Sequence, residues 1–152
     1  MKKIEIISRS REETMRLGNA IALQAGAGDI ICLFGDLGSG KTTLVKGMAK
    51  GLKINPTHLN SPTFVLFNIY EGKLPLYHFD LYRLEKAREI LNLGYEEYFY
   101  GKGVTVVEWA ERLNNLLPEK FLRVELFHQN NSERLIKISA QGDCFKNLKK
   151  YL

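Results

Sequence analysis

The sequence predicts an α/β protein with a central mixed β-sheet flanked by helices, and three observations support this prediction. Residues 30–34 form an apolar run with no polar alternation, which is typical of a strand buried on both faces in a parallel sheet. A glycine-rich turn follows and leads into a segment with helical periodicity. Alternating segments near the C-terminus indicate an antiparallel hairpin. We therefore expect one α/β domain spanning residues 1–152.

The composition excludes several other classes of protein. The 152 residues are 45% hydrophobic and 26% charged, which excludes disordered and fibrous chains. Two cysteines cannot form a disulfide framework, and no apolar run reaches the ~20 residues that span a bilayer. We expect a cytoplasmic protein with no membrane contact. The net charge of +5 is compatible with binding nucleotide phosphates, nucleic acid or an acidic partner.

The N-terminal segment predicts a strand followed by a helix. Residues 4–7 are β-prone, and Ser10 with Glu13 forms a capping-box pattern. In such a box the hydroxyl and the carboxylate each accept a backbone N–H at the start of a helix. Apolar residues then repeat at helical spacing to about Ala25, and Gly26 stops the helix.

The middle of the chain predicts a second helix and a hairpin. Residues 41–52 carry apolar side chains on one side of a helix, and residues 53–62 are expected to form a loop. Two β-prone segments, 64–70 and 74–81, flank a Glu-Gly-Lys turn. This arrangement predicts a pair of antiparallel strands.

The C-terminal half continues the alternation of helices and strands. Helical spacing predicts helices at 84–93 and 109–117. An apolar run at 104–107 predicts a second buried strand. Alternation at 121–127 and 135–139 predicts the C-terminal hairpin.

The segment 35–42 carries the strongest functional signal. Its sequence, Gly-Asp-Leu-Gly-Ser-Gly-Lys-Thr, matches the phosphate-binding pattern G-x-x-x-x-G-K-S/T in full, between a predicted strand and a predicted helix. The glycines let backbone N–H groups approach a polyphosphate, and the new helix adds the positive end of its dipole. Lys41 is expected to reach the β- and γ-phosphates and Thr42 to bind Mg²⁺. The sequence therefore predicts a P-loop NTPase. The residues expected to hold the nucleotide here are Gly35, Asp36, Leu37, Gly38, Ser39, Gly40, Lys41, Thr42 and Thr43.

A metal at such a loop needs an acid, and two are available. Glu108 follows the apolar run 104–107, whereas Asp80 follows an alternating segment. By pattern, Glu108 looks more like the acid that ends a buried parallel strand. The alternatives are an ordinary exposed acid at Glu108 and a surface acid paired with Arg83 at Asp80. The pattern alone does not divide metal binding and water activation between the two.

Three other residues lie close to these motifs. Thr63, in Ser-Pro-Thr after the second helix, could sense a γ-phosphate as switch loops do, or could simply begin a strand. His78 is expected to be a packed or surface histidine rather than a ligand. Trp109 is either a core residue or a neighbour of the site through Glu108.

The order of these motifs closely resembles the TsaE (YjeE-like) family, the small ATPase of bacterial threonylcarbamoyladenosine synthesis on tRNA. The residues that carry the resemblance, beyond the P-loop, are Ser61-Pro62-Thr63-Phe64, His78-Phe79-Asp80-Leu81-Tyr82-Arg83-Leu84 and Glu108-Trp109. The resemblance covers nearly the whole chain. Its His-Phe-Asp-Leu-Tyr-Arg stretch is far more specific than the P-loop.

The resemblance implies a function that spacing alone does not. Members bind ATP and Mg²⁺, hydrolyse ATP slowly and act with two proteins. One is the TsaD-like enzyme that transfers the threonylcarbamoyl group to adenosine 37 of tRNA, and the other is its TsaB-like non-catalytic paralogue. Contact with tRNA would be indirect, through that complex. Hydrolysis would reset the complex between turnovers.

The resemblance also implies roles for individual residues. Lys41, Asp80 and Glu108 would carry catalysis, and Thr42, Asp80 and Glu108 would hold Mg²⁺. The further residues that it places near the nucleotide are Arg11, Thr14, Thr63, Trp109 and Arg134.

Two other functions remain open on the residues alone. A small-molecule kinase shares the P-loop, although this chain has little spare length for an acceptor pocket and an arginine-rich lid. A nucleotide-gated interaction module would need ATP binding but not hydrolysis.

Overall fold

The computed structural model describes residues 3–59, 67–86 and 88–145, and their strands form one mixed sheet between helices. The strands are β1 (Lys3–Ser8), β2 (Ile30–Phe34), β3 (Phe67–Tyr70), β4 (Leu76–Asp80), β5 (Val104–Glu108), β6 (Phe121–His128) and β7 (Arg134–Gln141). The α-helices are α1 (Arg11–Gln24), α2 (Lys41–Gly51), α3 (Arg88–Asn92) and α4 (Tyr95–Phe99). Two 3₁₀ helices span Pro56–His58 and Ala110–Leu116. The predicted α/β fold class is confirmed.

The sheet has a parallel centre and antiparallel edges. Its order is β1-β7-β6-β2-β5-β4-β3. The strands β6, β2, β5 and β4 run parallel to one another. The pairs β1–β7, β7–β6 and β4–β3 are antiparallel. Because parallel strands end at the same edge of a sheet, the last residues of β2, β4 and β5 lie together.

One face of the sheet is covered by α1 and α2, which pack with their backbones in close approach. A Cβ built on Gly47 would overlap the carbonyl oxygen of Met15, and one built on Gly18 would overlap that of Leu44. Glycine therefore permits the contact between these helices. The packing fixes α2, and with it the phosphate loop, against the first helix.

The other face carries an aromatic core under α3, α4 and the second 3₁₀ helix. The ring of Phe79 on β4 lies 4.9 Å from that of Phe67 and 5.4 Å from that of Phe99. The side chains of Phe79 and Phe99 are fully buried. None of the helices in the described ranges combines the length and the hydropathy that crossing a membrane requires.

Most predicted elements are confirmed. The strand at 4–7, both apolar strands, the helix that follows the glycine turn and the C-terminal hairpin all occur. Of the predicted pair at 64–70 and 74–81, β3 and β4 form antiparallel partners. Residues 64–66 and the last part of the predicted loop, 60–62, lie outside the described residues.

Two helix predictions are wrong in extent or type. The helix predicted at 84–93 is confined to α3, and a separate α4 follows Gly94, which has a φ of 67°. Residues 109–117 hold a 3₁₀ helix rather than an α-helix. Positive φ angles at Trp109 (58°) and Asn114 (48°) are incompatible with a continuous α-helix there. The spacing of apolar residues does not reveal such angles.

The predicted capping box is confirmed on one side only. The Ser10 hydroxyl accepts a hydrogen bond from the Glu13 N–H at 3.1 Å. The Glu13 carboxylate accepts from the N–H of Arg9, at 2.6 Å, instead of from Ser10. Both bonds hold the chain where it leaves β1 and enters α1.

Candidate functional site

A cavity of about 560 Å³ opens where β2, β4 and β5 end. The glycine-rich loop between β2 and α2, the N-terminus of α1 and the β6–β7 turn form its walls. The residues that line it are Ser10, Arg11, Thr14, Leu37, Gly38, Gly40, Lys41, Thr42, Thr43, Asp80, Tyr82, Glu108, Trp109, Asn131, Ser132 and Arg134.

The loop between β2 and α2 depends on glycine for its shape. Gly38 has a φ of 79° and Gly40 a φ of 105°, angles at which a side chain is strained. The Ser39 N–H donates to the carbonyl of Asp36 at 3.1 Å, which closes the turn. Gly40 caps α2 without a side-chain acceptor. The first N–H groups of α2 therefore have no capping side chain and form a site suited to an anion.

The Lys41 ammonium lies inside this loop. Its Nζ donates to the carbonyl of Gly35 at 2.5 Å and to that of Asp36 at 2.8 Å. The same atom lies 4.1 Å from the centre of the Trp109 ring, a cation–π distance. Burial lowers the pKa of Lys41, and the nearby Glu108 carboxylate opposes this shift.

A chain of polar contacts joins α2 to two strands. The Thr42 hydroxyl donates to Oε1 of Glu108 at 3.0 Å. The other carboxylate oxygen of Glu108, Oε2, lies 2.5 Å from Nε2 of His78. Glu108 is 2% exposed and His78 fully buried. Glu108 is therefore not an ordinary exposed acid, and both of its oxygens are held in place.

Asp80 lies directly beside this pair, because Asp80 and Glu108 are Cα partners in the register of β4 and β5. Its Oδ1 accepts a hydrogen bond from the N–H of Tyr82 at 3.1 Å. Burial raises the pKa of Asp80, and the hydrogen bond from Tyr82 opposes that shift. Two carboxylates thus face the same cavity from neighbouring strands.

The remaining walls are connected to the loop. Arg134, at the start of β7, donates from NH2 to the carbonyl of Gly38 at 3.2 Å. The hydroxyl of Thr14 on α1 lies 2.6 Å from that of Ser8. Along another side, the centres of the Tyr82 and Trp109 rings lie 5.0 Å apart, with the ring planes inclined at 43°.

Most of the residues predicted for the site line this cavity: Arg11, Thr14, Leu37, Gly38, Gly40, Lys41, Thr42, Thr43, Asp80, Glu108, Trp109 and Arg134. Gly35, Asp36 and Ser39 do not line the cavity but contact the Lys41 ammonium. Thr63 lies outside the described residues.

The contact of His78 with Glu108 and the cavity-lining positions of Tyr82, Asn131 and Ser132 were not predicted from the sequence. His78 and Asp80 are two positions apart on β4, so their side chains share one face of the strand. That spacing was the available signal for His78. The turn residues carry no comparable signal.

The oxygen donors at this edge of the sheet fit Mg²⁺. The described residues contain no cluster of three or more His, Cys, Asp or Glu side chains suited to a metal ion. However, Mg²⁺ is commonly held by one or two carboxylates together with phosphate oxygens and water. The Thr42 hydroxyl and the carboxylates of Glu108 and Asp80 are donors of this kind.

Comparisons with known proteins agree on one family. The model of the family described as "Threonylcarbamoyl adenosine biosynthesis protein TsaE" matches residues 8–136. The chain is 42% identical over 149 residues to the tRNA threonylcarbamoyladenosine biosynthesis protein TsaE of Bacillus subtilis, covering 97% of this chain and 92% of the relative. The protein of the same name from Aquifex aeolicus is 46% identical over 128 residues, covering 83% and 90%. A crystal structure of Bacillus subtilis YdiB superposes with a TM-score of 0.82 at 37% identity, covering 98% of this chain and 93% of that one.

Proposed function

This chain belongs to the TsaE family of threonylcarbamoyl adenosine biosynthesis proteins, and on that premise we propose that it is a Mg²⁺-dependent ATPase that serves tRNA modification. The observation that carries the proposal is the meeting of the phosphate loop with Thr42, Glu108 and Asp80 in one cavity. A loop alone would support nucleotide binding. The two carboxylates beside it add the donors that hydrolysis requires.

Phosphate binding would use backbone and side-chain donors together. The N–H groups that begin α2 and the loop between Gly35 and Gly40 would hold the phosphate oxygens. Lys41 would exchange its bonds to the carbonyls of Gly35 and Asp36 for bonds to the β- and γ-phosphates. Such charge-assisted bonds are shorter and stronger than neutral ones.

The metal would bind at the polar pair that joins α2 to β5. Thr42 and Glu108 already contact each other, so the two donors are directed at one place. When bound, Mg²⁺ supplies positive charge that offsets the charge developing on the phosphate oxygens. Neither side chain needs to move across the cavity to serve as a donor.

We propose that Asp80 orients the attacking water. Both oxygens of Glu108 are engaged, by Thr42 and by His78. Asp80 lines the cavity and accepts a hydrogen bond at Oδ1 from the N–H of Tyr82. A carboxylate at the cavity wall can accept a proton from water.

We propose that hydrolysis resets a TsaD-like threonylcarbamoyl transferase bound to its TsaB-like paralogue, with tRNA contacted through that complex. Family membership supports this partner assignment. The reaction at the P-loop would then control the lifetime of the complex and not the transfer chemistry itself.

Reconstitution tests this function. The transferase pair, tRNA, threonylcarbamoyl-adenylate, Mg²⁺ and ATP are combined with the wild-type chain or with Lys41→Ala, and modified tRNA is counted per transferase. We expect many turnovers with the wild type and about one without it or with Lys41→Ala. Lys50→Ala, on the exposed end of α2, is the matched control and should act as the wild type.

The same assay separates the other functions. If a non-hydrolysable ATP analogue sustains multiple turnovers, the protein is a nucleotide-gated module and the ATPase proposal is wrong. If phosphate passes rapidly to a small-molecule acceptor, it is a kinase.

A further inference from the structure

We propose that His78 is a positioning residue that fixes the carboxylate of Glu108 toward Thr42, an inference that rests on the function proposed above. The ring is fully buried and does not line the cavity. It therefore cannot touch the nucleotide and would act only through Glu108. The contact that carries this role is the 2.5 Å approach of Nε2 to Oε2 of Glu108.

The geometry gives each oxygen of Glu108 its own partner. Oε1 accepts from the Thr42 hydroxyl at 3.0 Å, and Oε2 accepts from Nε2 of His78. A carboxylate held at both oxygens cannot rotate about its last side-chain bond without losing a hydrogen bond. The histidine thus helps to fix the orientation of the carboxylate group, with one oxygen facing α2.

Because the pair is buried, water cannot readily replace the hydrogen bond that His78 makes with Glu108. Glu108 is 2% exposed, so water has little access to take over the bond to Oε2. Alternation along β4 puts His78 on the same face as Leu76, which belongs to the core under α1 and α2. In such low-dielectric surroundings a hydrogen bond to a carboxylate is strengthened, and its loss is not offset by hydration.

The other ring nitrogen argues against a purely structural histidine. Nδ1 of His78 is buried and has no hydrogen-bond partner among the described residues. An ionised carboxylate only accepts, so Nε2 is the donor in the contact with Glu108, and Nδ1 is left without a partner. An apolar ring of similar size would avoid that cost. The contribution of His78 therefore lies in the donor at Nε2 and not in packing.

Three variants isolate that donor. The side chain of His78→Gln can place an N–H near the position of Nε2, whereas that of His78→Asn is too short to reach Glu108. The third variant, His78→Phe, keeps the ring volume but has no donor. Tyr77→Phe is the matched control, because Tyr77 is the next residue on β4 and packs on the opposite face with Tyr98.

Each protein is measured in four ways: kcat and KM for ATP with Mg²⁺, ATP affinity in EDTA by calorimetry, the gain in ATP affinity on adding Mg²⁺, and the thermal midpoint. For His78→Phe and His78→Asn we expect kcat and the Mg²⁺-dependent gain in affinity to fall about 10- to 100-fold, the usual effect of losing a partner that orients a metal ligand. Affinity in EDTA should change less than about threefold, since the phosphate loop is untouched. His78→Gln should recover most of the loss.

The results that overturn the inference are distinct from those that overturn the function. If folded His78→Phe keeps the wild-type kcat and Mg²⁺ response, or if His78→Gln is as impaired as His78→Phe, His78 has no positioning role. An equal loss of affinity in EDTA for all three variants would indicate a general structural effect, and would also overturn it. If His78→Phe does not fold, the comparison of His78→Gln with His78→Asn decides. A wild-type chain that fails to hydrolyse ATP overturns the proposed function itself.

Discussion

The hydroxyl of Thr42, in the first turn of α2, donates a hydrogen bond to Oε1 of Glu108, the last residue of β5, across 3.0 Å. The contact spans 66 positions of sequence. It arises because β2 and β5 are parallel neighbours, with Leu33 opposite Glu108. The loop that follows β2 consequently places the N-terminus of α2 beside the end of β5.

Thr42 is expected to matter through its hydroxyl and not its shape. Thr42→Val keeps the branched side chain but has no oxygen, so it should lower kcat for ATP about 100-fold with Mg²⁺ present. Thr42→Ser keeps the oxygen and should stay within about threefold of the wild type. Phosphate release measures both. Equal activity of the Val and Ser variants would contradict the metal-binding role.

Lys41 is expected to hold phosphate. Lys41→Met keeps an unbranched apolar side chain but removes the ammonium, which lies 4.1 Å from the centre of the Trp109 ring. ATP affinity should fall about 10- to 100-fold, the range for one charge-assisted hydrogen bond. Lys50→Met, at the other end of the same helix, is the control. Calorimetric titration with ATP measures both, and wild-type affinity in Lys41→Met would exclude the assigned role.

The ionised carboxylate of Asp80 is expected to lower the free energy of unfolding, although turnover requires it. Its raised pKa means that the folded protein binds a proton at this carboxylate more tightly than the unfolded chain does. The group's contribution to stability is therefore lost as pH rises from the usual aspartate pKa through the raised one. In EDTA at pH 7, Asp80→Asn should be at least as stable as the wild type, and this advantage should shrink toward acid pH. Thermal melts across pH measure this.

The same variant should lose activity. Asp80→Asn removes the oxygen charge that would orient water, so kcat should fall about 100-fold or more. A variant that melts far below the wild type at every pH would mark Asp80 as a structural residue instead.

The close packing of α1 and α2 should depend on Gly47. Alanine would ordinarily favour the helix by about 1 kcal/mol, but a Cβ here would overlap the carbonyl of Met15. We expect Gly47→Ala to destabilise the protein by about 1–3 kcal/mol. Gly26→Ala is the control, since its nearest neighbouring atom would lie 3.9 Å away. Denaturant unfolding measures both, and a more stable Gly47→Ala would contradict the packing.

The buried strands and part of the site were predictable because their local sequence patterns are compatible with few other structures. The apolar run at 30–34 predicts β2, and the glycines before Lys41 predict the turn, because few other structures need them there. Glu108 was identified as a strand-end acid for the same reason. The hairpins followed from alternation on either side of polar turns.

The parts that were not predictable depend on contacts between distant segments. The approach of His78 to Glu108 requires β4 to pair with β5 in the observed register. Neither segment's sequence indicates which strand it pairs with. The 3₁₀ helix at Ala110–Leu116 occurs where Trp109 and Asn114 have positive φ angles. The apolar residues of this segment nevertheless have the spacing of an α-helix. Local patterns therefore predict elements better than they predict partners.

Mg²⁺-dependent phosphate release by the purified chain, compared with Glu108→Gln, tests the central claim most directly. Glu108→Gln keeps the shape of the side chain but removes its charge and replaces one of the two acceptor oxygens by an NH2 donor. We predict that both proteins bind ATP in EDTA with similar affinity, and that only the wild type releases phosphate when Mg²⁺ is added, with Glu108→Gln at least about 100-fold slower. Equal rates of phosphate release from the two proteins would contradict the claim that Thr42 and Glu108 form the metal site of an ATPase.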